Sequence, residues 1–90
     1  MRFEWDPHKA EKNHKKHGVT FQEAATVFAD PLAVTFQDPD HSFEEERQLT
    51  FGQSLRGRLV VVSHTRRGDR TRIINARFMD RNERVIYEEG

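Results

Sequence analysis

The spacing of apolar residues changes several times along this chain, and each change marks an element. Arg2-Phe3-Glu4-Trp5 alternates polar and apolar, which predicts a short strand with Phe3 and Trp5 inward. Asp6-Pro7 reads as a helix start, with Asp6 as the cap and Pro7 at the first helical position. That helix runs to about His17 and stops at Gly18. Its polar surface carries Lys9, Lys12, Lys15, Lys16, His8, His14 and His17, so Ala10 and alkyl stems must do the packing. Thr20-Phe21-Gln22-Glu23 has the form of a capping box, with Val19 and Ala24 placed as a hydrophobic staple. Phe21, Ala24, Ala25 and Phe28 fall at i, i+3, i+4 and i+7, the stripe of an amphipathic helix that ends before Asp30-Pro31.

The pattern then turns to strands. Leu32 to Gln37 places Leu32, Val34 and Phe36 on one face, and Arg47 to Gln53 places Leu49 and Phe51 inward. Leu59–Val62 and Ile73–Ile74 flank Arg66-Arg67-Gly68-Asp69-Arg70, which predicts a β-hairpin, because β-branched runs favour strands and Gly-Asp supplies the turn. Asp80 to Glu83 again has the form of a helix start, leading into a short terminal helix over Arg84 to Glu89. The order predicts a single α+β domain over residues 1–90. Its four-stranded, mainly antiparallel sheet gains a short N-terminal strand, two N-terminal helices pack on it, and a short C-terminal helix closes the chain.

A third of the residues are charged and 34% are hydrophobic, so the core of this 90-residue chain is small; nine aromatics and the apolar runs still argue against disorder. Without cysteine there is no disulfide framework. No apolar stretch is long enough to span a bilayer and no signal peptide begins the chain, so a soluble, cytoplasmic protein without a membrane partner is expected. A net charge of zero argues against a general nucleic-acid coat protein, but the distribution matters more. Residues 38–47 hold five acids and one base, whereas residues 56–81 hold eight arginines and two acids. One basic face beside an acidic loop is the expectation, with a solvated surface of local ion pairs as the competing reading.

No His-Glu-x-x-His, cysteine or aspartate cluster has metal-ligand spacing, and Gly52, Gly57 and Gly68 form no phosphate loop; no metal or cofactor is expected. Metal-free RNA cleavage fits these residue types best. The ribose 2′-hydroxyl is the nucleophile, so the protein supplies a base, an acid and cations for the phosphorane. His41, Glu44, Glu45 and His64 are candidate proton carriers, and Arg47, Arg67, Arg72 and Arg77 are candidate cations. Each has a structural alternative: Glu45 can pair with Arg47, and His64 can be a strand residue bonded to backbone. Strict alternation sets Arg72 and Arg77 on opposite faces, so they line one site only if a bulge intervenes.

The chain resembles the BrnT toxins of bacterial type II toxin–antitoxin systems. The resemblance rests on Phe3-Glu4-Trp5-Asp6-Pro7, Lys16-His17-Gly18-Val19, Val27-Phe28, Asp30-Pro31 and His41-Ser42 with Glu45 and Arg47. It continues through Gly57-Arg58, His64-Thr65, Arg67-Gly68, Arg72-Ile73-Ile74, Ala76-Arg77, Glu83-Arg84 and Tyr87-Glu88. Asn75 stands where the family commonly has Ser, and Phe78-Met79 is more apolar than the usual basic tail. The resemblance implies a RelE-like fold and an endoribonuclease toxin that blocks translation; attack by the 2′-hydroxyl is expected to leave 2′,3′-cyclic phosphate ends. It implies a BrnA-like ribbon-helix-helix antitoxin, operator DNA bound only through that antitoxin, and a toxin dimer within a hetero-oligomer. Carried over by position, the catalytic set is His41, Glu45, Arg47, His64, Arg67, Arg72 and Arg77, with Arg66, Arg84 and Tyr87 as RNA contacts. The alternative is a non-catalytic nucleic-acid-binding or co-repressor module, a degenerate toxin.

Overall fold

The computed structural model describes residues 1–40 and 46–90. The elements run β1 (Arg2–Glu4), α1 (Pro7–His17), α2 (Phe21–Thr26) continuing into a 3-10 turn (Val27–Ala29), β2 (Val34–Gln37), β3 (Arg47–Gln53), β4 (Leu59–Arg67), β5 (Arg70–Phe78) and α3 (Arg81–Glu89). Local chemistry explains most of these boundaries. The Asp6 carboxylate accepts the His8 N–H at 2.8 Å, and Gly18, at φ 75°, ends α1 with its N–H donating to the His14 carbonyl. Asp80 and Glu83 close a reciprocal capping box on α3. Thr20 forms only half of the expected box on α2. Its hydroxyl accepts the Glu23 N–H, while the Glu23 carboxylate is taken by Ser54 and by the Arg58 guanidinium.

The sheet order is β1-β5-β4-β3-β2, with β1 parallel to β5 and the other pairs antiparallel. The β4–β5 hairpin turns on Gly68-Asp69, where only Gly68 has positive φ (61°), the pattern of a type II′ turn. One irregularity interrupts this hairpin. Ser63 stands opposite Asn75 and His64 opposite Ile73, so Ile74 is an extra, bulged residue.

The sheet is covered on both faces. Val60, Val62, Ile73 and Ala76 pack under Val19, Phe21, Ala24 and Val27, with Phe3, Trp5, Ala10, Ala25 and Phe28 around them. On the opposite face a smaller cluster of Phe51, Val61 and Met79 packs with Leu49, Leu59 and Tyr87 of α3. The apolar Phe78-Met79 segment is thus accounted for, since Met79 is buried in this cluster and the Phe78 ring lies under the Arg58 guanidinium, 4.9 Å from centroid to Cζ. Leu32 is exposed and falls outside β2, so it contributes nothing to the strand face expected of it.

Helix α1 takes over the edge of β5 where β1 ends. The buried Asn13 amide donates to the Ala76 carbonyl at 2.8 Å and accepts the Ala76 N–H at 3.0 Å, as a neighbouring strand would. It also donates to the Val19 carbonyl at 3.0 Å.

Candidate active site

The bulge at Ile74 decides which arginines meet. On one side of it Arg47 and Arg72 both stand opposite Thr65; on the other side Arg77 stands opposite Val61. Thr65 and Val61 are four residues apart in β4, so Arg47, Arg72 and Arg77 belong to one face of the sheet, and Arg67 joins them by alternation. Without the extra residue Arg77 would point to the other side. The condition that the sequence set for a common site is met.

Arg47 and Arg77 line a single cavity of about 550 Å³, with Lys9 of α1, Ser63, Asn75, Leu49, Ile74, Asp38 and Asp40 completing its wall. The site holds both signs of charge. Asp38 is buried; its N–H donates to the Arg47 carbonyl at 2.9 Å, and its carboxylate accepts the Asp40 N–H at 3.0 Å. Arg77 is held in a bidentate pair with Glu83, at 2.7 and 2.8 Å. Each partner stabilises the charge of the other, so Glu83 is held below and Arg77 above its ordinary pKa, the Arg77–Glu83 hydrogen bonding being the largest cause in both. The cap of α3 therefore orients this guanidinium.

The other candidates are distributed more widely. Arg72 shares the face but pairs with Glu4 of β1 at 2.6 Å. Arg67 sits at the hairpin end of β4, six residues or about 20 Å from the row of Arg77. Arg66 faces the other way, with its Nε donating to the Gly68 carbonyl at 3.1 Å, and Arg84 is exposed on α3. His41, Glu44 and Glu45 lie outside the described residues.

His64 and Tyr87 are not brought to the arginine cavity. His64 points to the α2 side, buried, with its Nε2 2.7 Å from the Thr50 hydroxyl and its ring edge-on to Phe28 at 4.9 Å. Burial pushes its pKa down to about 4, so the ring is neutral near pH 7. Tyr87 donates its hydroxyl to Asp30 at 2.6 Å and packs, half-buried, against the second cluster. Asp30 as acceptor raises the phenol pKa to about 12.

Lys9, Ser63, Asn75, Asp38 and Asp40 line the cavity but lie outside the site set expected from the sequence. Lys9 and the two aspartates were visible only as charge. The Ser63–Asn75 pairing exists because of the bulge, which no local sequence signal marks. Among the described residues no group of three or more His, Asp or Glu side chains is placed to hold a metal ion.

A protein-family model described as "Ribonuclease toxin, BrnT, of type II toxin-antitoxin system" matches residues 5–83. This chain belongs to the BrnT family. It is a ribonuclease toxin of a type II toxin–antitoxin system, and its partner is an antitoxin. The crystal structure of the Brucella abortus ribonuclease toxin BrnT, at 1.1 Å, superposes with a TM-score of 0.70 over 90% of this chain and 99% of that one. The two are 20% identical, so this likeness speaks for the BrnT fold. Sequence comparison with curated proteins finds no match. No helix among the described residues is long and apolar enough to cross a membrane.

Proposed function

We propose that this BrnT chain is a metal-independent endoribonuclease acting in the cavity between Arg47 and Arg77. The observation that carries the reading is the bulge at Ile74, which sets both guanidinium groups on one face and along one cavity. The 2′-oxygen attacks the adjacent phosphorus, a base takes its proton, and the bond to the 5′-oxygen breaks as an acid protonates the leaving group. The products are a 2′,3′-cyclic phosphate and a 5′-hydroxyl. Arg47 and Arg77 carry fixed charge to the phosphorane, and an oriented donor of this kind contributes about 10²–10³ in rate. Glu83 orients Arg77 in advance of substrate.

His41 and Glu45, with Glu44 beside them, are the proton carriers in this reading, supported by their residue types, which exchange protons where arginine does not, and by their nearness in sequence to Asp40 and Arg47 of the cavity. Arg67, Arg72, Arg66 and Arg84 are flanking RNA contacts. His64 and Tyr87 serve packing. In the cytoplasm the enzyme inhibits translation until a ribbon-helix-helix antitoxin neutralises it, and the complex, with a toxin dimer in it, reaches operator DNA through the antitoxin.

One observation favours a second reading. Arg72 and Arg77 already have carboxylate partners in Glu4 and Glu83, as suits a module that binds nucleic acid without cleaving it. A single experiment separates the two: antitoxin-free protein is incubated with labelled RNA in EDTA and the product ends are analysed. Cyclic phosphate ends support the nuclease, whereas intact RNA, with a translation-coupled assay also silent, supports the non-catalytic module.

A further inference from the structure

We propose that the face of α1 bearing Lys9, Lys12 and Lys16 is a track for the phosphates of single-stranded RNA leading out of the Arg47–Arg77 cavity. The proposal deepens the nuclease reading and rests on it for what occupies the cavity. A second cavity of about 180 Å³ runs beside α1, with Lys9, Lys12, Lys16 and His17 on one wall and Ile74 and Asn75 on the other. Lys9, Ile74 and Asn75 line the larger cavity as well, so the two form one continuous groove. The bulged Ile74 is the apolar residue common to both parts, and it offers a base or ribose a dry contact between the phosphate positions.

The lysines fit this use better than they fit a purely solvated helix. They stand at i, i+3 and i+7, so they share one face, where like charges at this spacing weaken the helix. Among the described residues none of the three forms an ion pair, whereas Lys15, turned away from the groove, pairs with Glu11 at 3.2 Å. The helix dipole favours Lys16 in the last turn, but it disfavours Lys9 in the first turn, where the N-cap Asp6 is the acid beside it. From Lys9 to Lys16 the helix advances about 10 Å, the length of about three nucleotides of a stacked strand. Asn13, on the same side, fixes α1 to Ala76 and so sets the width of the groove.

The test uses a short 2′-O-methyl RNA, which keeps its phosphates and cannot undergo 2′-hydroxyl attack. Its binding is measured over a range of salt for the wild type, the triple variant Lys9→Gln/Lys12→Gln/Lys16→Gln, and a Lys15→Gln control. All the substituted side chains are exposed, and a thermal melt checks that each protein is folded. Losing about three phosphate contacts should flatten the log–log salt slope by about 2, so the affinity deficit of the triple variant narrows roughly fifteen-fold between about 50 and about 200 mM salt. The Lys15→Gln protein should match the wild type. Wild-type affinity and slope in the triple variant overturn the proposal, as does failure of the wild type to bind this RNA. Intact RNA binding with lost antitoxin association also overturns it, by assigning the stripe to the protein partner. Stripe-dependent binding without cleavage of unmodified RNA, alone or in the translation-coupled assay, sustains the track and refutes the nuclease reading; cleavage and binding by the triple variant at wild-type levels do the reverse.

Discussion

Protonation of His64 should remove a large share of the stability of this chain as pH falls. The ring lies under Phe28 on the α2 side of the sheet, and its only hydrogen-bond partner among the described residues is the Thr50 hydroxyl, itself 2.8 Å from that of Thr35. Two hydroxyls can reverse their donor sense to meet an imidazolium, but they supply no counter-charge. Burial accordingly takes the pKa from 6.5 to about 4. The folded pKa lies below the unfolded one, so the unfolded chain binds a proton that the folded chain refuses. The stabilisation is complete above pH 6.5 and drains away as the pH falls towards 4. Over that interval, at about 1.4 kcal/mol per pH unit, it amounts to about 3 kcal/mol. Urea unfolding of the wild type and of His64→Gln at a series of pH values isolates this contribution, because the other titratable groups behave alike in both. The wild type's advantage should shrink by about 3 kcal/mol from pH 7 to pH 4, with a maximum slope of about 1.4 kcal/mol per pH unit. A pH-independent difference, or an NMR titration placing the ring near 6.5, would refute the argument.

Three further outcomes follow from the geometry. Arg77→Ala should lower RNA cleavage by about 10²-fold or more, and because it leaves Glu83 unpaired it should also cost about 1–2 kcal/mol; a folded variant with undiminished cleavage removes Arg77 from the site. Asn13→Ala deletes three buried hydrogen bonds and strands both polar groups of Ala76, so denaturant melts should show a loss of about 3 kcal/mol or more; a change under about 1 kcal/mol would mean that water replaces the amide. Gly52→Ala places a Cβ 2.7 Å from Val27 Cγ1 and 3.2 Å from Ala33 Cβ, and overpacking there should destabilise the protein by about 1–3 kcal/mol; an unchanged melting temperature would show that the contact yields freely.

Elements whose signals are local could be read from the amino acids alone. Asp6 and Pro7 start α1, Gly18 ends it, Asp80 and Glu83 start α3, Gly68-Asp69 turns the last hairpin, and Arg47–Gln53 reads as a strand from its own alternation. These signals are satisfied within a turn or two of chain, which is why composition and spacing reveal them. The arginine types of the site were legible in the same way, together with the family pattern. Which of them meet was not. Strand side chains alternate with a period of two, so one extra residue at Ile74 reverses the face of every residue after it; nothing before the pairing of β4 with β5 shows that it is there. Tertiary structure also decided the partners of Glu23, Tyr87 and His64. The Glu23 carboxylate binds Arg58, 35 positions away, instead of completing its cap, Tyr87 reaches Asp30, 57 positions away, and His64 turns under Phe28. Each of these choices is set by what the closed sheet leaves exposed to water and what it buries, a quantity defined only once strands distant in sequence lie side by side.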